Sequence, residues 1–377
     1  MISKEKIELL QKNIIFQLSL SSIELFHSNL LYWLFKHYPA FTKELLCKWL
    51  NKNPEYVEFS STDIYREKEN SKDITFHIIE HGIPKTIYLE NKVKSVPDEH
   101  QLIKYSKEKH KTEGILLSII HPRFMKKQKT YTTVTWTFIH YSELAKELLL
   151  FSTKIKDGNS YHYNLMADYI ELINFLCELP FEINLETDLY DWYENDVFPI
   201  VKELRVYDLY VKGKMNILSN IISSSLAEEF PDYTFIHSSN WTVGKPGEIY
   251  IAESFRNGSS LIDIKCILCP GKCVGAQLQS NDFRLFIETT KPSETLKLAN
   301  LYLNTKQWFH LDGKDCTHPK SQSQKPFNKF NNDKKETVFL YRSFKLNTPS
   351  IILIKENFIQ TVIQFEELLK TQEKTGI

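Results

Sequence analysis

The chain has 377 residues, of which 42% are apolar and 13% aromatic, enough for more than one sizeable core and too many for a disordered protein. Lys plus Arg and Asp plus Glu stand at 47 each, so overall charge does not mark a nucleic-acid binder and any basic footprint has to be local. No apolar run reaches bilayer length, and six cysteines in so long a chain are not a disulfide framework; both point to a cytoplasmic protein without a membrane partner.

Residues 4–18 are amphipathic at helical period. A second helix is expected to start at Ser21 and Ser22, carrying Leu25, Phe26, Leu30, Trp33 and Leu34 on its apolar face, and a third over 40–51 stops before Pro54. From Tyr56 the pattern changes to short β-branched and aromatic runs: DIYREKE, DITFHII, TIYLENK, GILLSII and TWTFI. The second and third of these read as a hairpin with Gly82 and Pro84 marking its turn. A helical segment over 98–110 follows, with Asp98 and Glu99 in its first turn and Lys107, Lys109 and Lys111 at its end, as the helix dipole favours. Helix, three strands, helix, two strands and helix is the order of an α/β domain with a mixed sheet.

Residues 160–230 read as helical, and after Pro231 IYIAESF, LIDIKCIL and DFRLFIET read as strands. The polar, basic stretch 316–337 is expected to be a mobile loop, and a strand SIILIK and a helix near 356–372 close the chain. The expected domains are a core over 1–155, a helical bridging region over 156–230 and a C-terminal α+β domain over 231–377.

The chemistry concentrates in IYLENKVKSVPDEHQLIKY. Alternate strand residues share a face, which puts Tyr88, Glu90 and Lys92 together, and Asp73, Thr75 and His77 together on the preceding strand. A hairpin can then bring Asp73 near Glu90, and two carboxylates at the edge of a sheet suit Mg²⁺, which prefers oxygen ligands and retains several waters. Lys92 is placed to orient water or phosphate as a point charge. Gln101 and Tyr105, four apart, share a helix face that could roof this group. Taken singly, each residue has a plainer role. Glu90 and Lys92 could be an exposed ion pair worth about 0–1 kcal/mol, Asp73 a turn residue and Tyr105 a core aromatic.

Together these residues resemble the PD-(D/E)XK nuclease superfamily. Asp73 stands where that family has its first acidic ligand, ENK at 90–92 matches the (D/E)-x-K element, and QLIKY at 101–105 matches the Q-x-x-x-Y motif of its RecB-like branch; no proline precedes Asp73. The resemblance spans roughly residues 1–150. It implies an α/β, restriction-endonuclease-like core with a mixed central sheet flanked by helices, followed by a C-terminal α+β region. It also implies a metal-dependent nuclease: Asp73, Glu90 and the Asn91 carbonyl on Mg²⁺, with Mn²⁺ as a substitute, Lys92 on water, and Gln101 and Tyr105 in support. The family often adds a glutamate from the first core helix. Glu24 stands there, with His27 and Ser28 on the same side, although Ser21 and Glu24 equally fit a capping box. Glu67 and Glu69 are rival acids on the first strand.

The implied substrate is nucleic acid, DNA favoured over RNA, in bacterial or phage defence or DNA processing. Between Asn91 and Thr130 ten Lys or Arg face four Asp or Glu, a local net of +6 that suits a phosphate backbone. The alternative is a nucleic-acid binding or sensing module with a silent site. Cys266, Cys269 and Cys273, with Cys316 and His318 further on, could ligate Zn²⁺ or an iron–sulfur cluster, but their spacing suits buried and turn cysteines better. DIK at 263–265 copies the triplet without its neighbours and reads as a plain strand. Substrate recognition, ligand sensing and homo-oligomer formation all stay open for the second half.

Overall fold

The computed structural model describes residues 8–9, 11–19, 23–66, 73–107, 112–179, 183–193, 195–256, 259–280, 282–304, 308, 316–317, 328–329, 339–346 and 350–375. The chain divides into two compact units, Met1–Phe181 with Pro199–Gly213, and Glu182–Phe198 with Lys214–Ile377. The stretch 156–230, read above as a bridge, therefore contributes to both.

In the first unit α1 (Ile14–Ser19), α2 (Ile23–His37) and α3 (Pro39–Trp49) precede β1 (Val57–Glu58), β2 (Ile64–Arg66), β3 (Ile74–Glu80) and β4 (Ile83–Lys92). Then come α4 (Glu99–Tyr105), β5 (Thr112–Ser118), β6 (Gln128–Tyr131), β7 (Val134–His140), α5 (Tyr141–Ile155) and α6 (Ser160–Glu178). The strands form one mixed sheet in the order β1-β3-β4-β5-β7-β6, with β2 also on β3. Pairing is antiparallel between β3 and β4, parallel from β4 to β5 and β5 to β7, and antiparallel between β6 and β7. This is the α/β arrangement expected. The short strands β1 and β6 were not read from sequence, being two and four residues long. Residues 1–7, 20–22, 67–72 and 108–111, which hold Ser21, Glu67, Glu69 and Lys109, lie outside the described residues.

The β3–β4 connection is a two-residue turn at His81 and Gly82, both with positive φ (50° and 74°). That backbone matches the twist of a hairpin and is easiest for glycine at its second position. Pro84 falls inside β4 and not in the turn. It sits opposite Ile79 of β3, and the described pairing of β4 to β5 begins two residues later at Thr86.

Farther along, β4 is an interior strand with both faces buried, which corrects the expected placing of the carboxylates at a sheet edge. On one face Asn91 meets α2 and α5. On the other, Tyr88 joins a buried cluster with Leu102 and Tyr105 of α4, Leu116, Trp136 and Phe138. Short as it is, α4 is fixed at both ends. Asp98 caps it by accepting from the His100 amide (2.9 Å), and Glu99 accepts from Lys129 Nζ (2.7 Å) and Tyr131 Oη (2.8 Å) of β6. At the other end Trp136 Nε1 donates to Ser106 Oγ (2.9 Å). The indole reaches this position because β5 offers Gly114 beneath it, where a Cβ would come within 2.3 Å of the ring.

In the second unit α8 (Tyr207–Glu229), shared with the first, leads to β8 (Thr234–His237), β9 (Glu248–Arg256), β10 (Ser259–Cys269), β11 (Lys272–Gln279) and β12 (Asp282–Thr289). The order of this sheet is β13-β15-β12-β11-β10-β9-β8, antiparallel except between β8 and β9. Its remaining elements are α9 (Pro292–Asn304), β13 (Cys316–Thr317), β14 (Asn328–Lys329), β15 (Phe339–Leu346) and α10 (Ile351–Thr375), while α7 (Val197–Glu203) lies between α6 and α8 along the chain.

One expectation fails here. SIILIK is not a strand: Ile351 and Ile354 are buried on the same stripe as Phe358, Val362, Phe365 and Leu368, and Ser350 Oγ accepts from the Leu353 amide (3.2 Å) at the helix start. The last strand is instead β15. The loop expected over 316–337 lies outside the described residues except for Cys316–Thr317 and Asn328–Lys329, which pair with β15.

Gly114→Ala should lower the stability of the first unit by about 1–3 kcal/mol, because the indole must move and carry Ser106 with it. Denaturant unfolding checks this, and the loss should shrink when Trp136→Leu is made in the same chain.

Candidate active site

The register of β3 on β4 pairs Ile74 with Leu89 and Thr75 with Tyr88. One step further out, Asp73 comes opposite Glu90 at the mouth of the hairpin. Asp73 Oδ2 accepts from the Asn91 amide at 2.7 Å, which ties the acid to the tip of β4. Glu90 Oε1 accepts from Lys92 Nζ (2.7 Å) and from Gln101 Nε2 (2.7 Å), and the same amide nitrogen donates to Tyr105 Oη at 2.8 Å. Asp73, Glu90, Lys92, Gln101 and Tyr105 therefore converge, with α4 as the roof.

The ion pair is not a surface one. Side-chain exposure is 4% for Glu90 and 15% for Lys92, and Glu90 Oε2 is buried with no hydrogen-bond partner. Burial and then the charge of Asp73 push the Glu90 carboxyl up from 4.5 to about 7, against the pull of Lys92 and Gln101. Burial works against the Lys92 ammonium, yet Glu90, with Glu24 and Asp73, carries its pKa above the usual lysine value. The Tyr105 phenol is raised by burial, so it stays a neutral hydrogen-bonding group.

A divalent cation fits this donor set. It would sit between two carboxylates that repel each other, and it would satisfy an oxygen that has no proton donor. Among the described residues no group of three or more His, Cys, Asp and Glu side chains is arranged to hold a metal, so two carboxylates and water are what the site offers, a combination suited to Mg²⁺.

Asn91, between the two motif residues, is 2% exposed. Its Nδ2 donates to Ser28 Oγ of α2 (3.0 Å), and its Oδ1 accepts from Tyr141 Oη of α5 (2.7 Å). Both helices thus hold the strand tip. His27 lies behind this contact, wholly buried, with Nδ1 2.9 Å from Tyr169 Oη; burial lowers its pKa to about 3, which keeps it neutral. Glu24 lies near enough for its charge to act on the Lys92 ammonium together with those of Glu90 and Asp73. Its Oε1 accepts from the Lys94 (3.2 Å) and Ser95 (2.8 Å) amides, on the loop between β4 and α4.

The other sequence candidates lie in the second unit. Cys266 and Cys273 are fully buried on neighbouring strands, and burial raises both thiols, away from the thiolate a metal requires. Cys269 is half-buried beside the turn at Gly271 (φ 76°). The side chain of Cys316 and all of His318 lie outside the described residues. In the DIK triplet Lys265 pairs with Glu288 (2.6 Å) and Asp263 (3.8 Å) and lies over the Trp241 ring (5.0 Å), a buried ion cluster within its sheet.

Comparison with known proteins agrees with the geometry. Residues 12–171 match the family model of the PD-(D/E)XK nuclease superfamily, a region that contains the whole Asp73–Tyr105 cluster. Nucleases of that superfamily generally use divalent metals, and a match over this region suggests a metal-dependent nuclease. No curated protein and no solved structure matches the chain. No helix among the described residues is long and apolar enough to cross a membrane.

The raised carboxyl gives a testable sign. Below about pH 4.5 Glu90 is protonated in both folded and unfolded chains; between there and about pH 7 only the folded, cation-free protein holds the proton. Through this group, stability is therefore greatest at the acid end and is lost as pH rises through 7. In chelator, the melting temperature of Glu90→Gln should gain on the wild type between pH 5 and pH 8, and Mg²⁺ should raise the wild type alone. A constant offset across that range would contradict the assignment.

Proposed function

We propose that the protein is a Mg²⁺-dependent deoxyribonuclease of the RecB-like branch, with Mn²⁺ able to substitute, acting in the cytoplasm in defence against foreign DNA or in DNA processing. The observation that carries this reading is Glu90 Oε2, buried, without a hydrogen donor and across the hairpin from a second carboxylate. Asp73 and Glu90 would hold the cation, with the Asn91 carbonyl and Glu24 as further candidates. A cation bound there supplies Lewis-acid neutralisation of phosphate charge and a lowered pKa for water.

The side chains of this chain do the rest. Lys92, kept protonated by Glu90, donates to phosphate or to the attacking water and offsets negative charge as it builds. Gln101 holds Glu90 Oε1 and Tyr105 together, so the free lobe of the carboxylate keeps its aim. Asn91, gripped by Ser28 and Tyr141, fixes the strand tip from below. The +6 excess between Asn91 and Thr130 supports a polyanionic substrate, and the family resemblance supports DNA over RNA.

Incubation with circular and linear DNA and with RNA, in Mg²⁺, Mn²⁺ or EDTA, tests this. DNA cleavage should require the cation, and Glu90→Gln and Lys92→Ala should each lose at least about a hundredfold in rate. Cleavage unchanged in both variants would remove the assignment, and cleavage of RNA alone would overturn the substrate.

A further inference from the structure

The loop between Lys92 and α4 is gripped at Lys94 from three directions. Its backbone N–H donates to Glu24 Oε1 (3.2 Å). Its carbonyl accepts from Lys212 Nζ at 2.9 Å. Its own ammonium lies 3.5 Å from Asp208 Oδ1. Asp208 and Lys212 are four apart at the start of α8, so they share a face, and their side chains also pair at 3.8 Å. The neighbouring Val93 is fully buried, and the Lys92 carbonyl accepts from the Ile119 amide (3.1 Å), which leaves the loop little freedom while these contacts stand.

Two of the three grips come from residues beyond the segment matched by the nuclease family, which ends at residue 171. They belong to Pro199–Gly213, which folds as part of the first unit. Lys212 is 12% exposed and Asp208 18%. An ammonium this buried is retained where its hydrogen bonds are specific, because desolvation of the charge opposes it. The contact also falls at a sensitive place: Lys94 is two residues from Lys92 and four from the Asp98 cap of the helix that carries Gln101 and Tyr105. A shift there moves the lysine and the roof relative to Glu90.

We infer that Lys212, supported by Asp208, is a positioning residue for the site: it holds the Lys94 carbonyl from outside the family core, and with Glu24 it sets the spacing between Lys92 and the Gln101–Tyr105 helix. The effect on rate rests on the nuclease reading; the effect on the loop does not. The region 12–171 is accordingly incomplete as a catalytic unit without the segment Pro199–Gly213.

The test uses the full-length chain and compares Lys212→Met, Lys212→Arg and Asp208→Asn by backbone hydrogen exchange and by cleavage kinetics. Lys212→Met should speed exchange of the Lys94 and Ser95 amides by at least about tenfold while the sheet keeps its protection. It should lower kcat by about tenfold or more with KM within about twofold of wild type, since a misplaced site loses rate before binding. Lys212→Arg should recover both, and Asp208→Asn should show the same pattern at smaller amplitude. Unchanged exchange at Lys94 and Ser95, protection lost equally across the unit, or faster loop exchange with kcat unaltered would each overturn the inference. If the wild type cleaves no nucleic acid, the nuclease reading fails and the exchange of these two amides alone decides the clamp.

Discussion

The site depends on one alignment, the register of β3 against β4. A two-residue turn at His81–Gly82 starts the hairpin, and seven paired positions later Asp73 stands across from Glu90. Because side chains alternate, a slip of one residue would turn the motif carboxylate and lysine to the opposite face. Both faces of β4 are buried, with apolar and aromatic residues on one and Asn91 held by two helices on the other, so such a slip would bury the wrong groups on each side. Register, core and site are therefore specified by the same set of contacts.

The cost of that arrangement is concentrated on Glu90. Placing a carboxylate on an interior strand beside Asp73 raises its pKa to about 7, and only one of its oxygens is satisfied by the protein. Ordinary packing would remove such a group or pair it fully. Here the surroundings hold it in place: Lys92 and Gln101 occupy one oxygen and leave the other bare. The roof helix has only seven residues, too few to stand by itself, and it is stable because β6, the Asp98 cap and Trp136 fasten it. Gly114 is part of the same device, since it gives the indole its room.

Much of this was legible in the chain because its periods are short. The alternation in IYLENK and the spacing of four in QLIKY place five side chains without long-range knowledge, and the turn residues fix the hairpin that joins Asp73 to them. The edge placement was wrong because the interior position of β4 depends on β5 pairing beside it and its face burial on α2, α4 and α5, which the strand's own sequence does not reveal. SIILIK was misread because six apolar-rich residues carry no decisive period; only the continuation through Phe358, Val362 and Phe365 shows the helix. The grips of Ser28 and Tyr141 on Asn91, and of Lys212 on Lys94, join residues 63, 50 and 118 positions apart, and no local pattern signals such contacts.

Anomalous scattering from crystals grown with Mn²⁺ is the most direct measurement of the central claim, that folding assembles a cation seat from two neighbouring strands. The expected map has a peak within coordination distance of both Asp73 and Glu90 Oε2, and none there in crystals of Glu90→Gln. Manganese bound elsewhere on the molecule, with the hairpin mouth empty and Glu90 turned away from Asp73, would contradict the account.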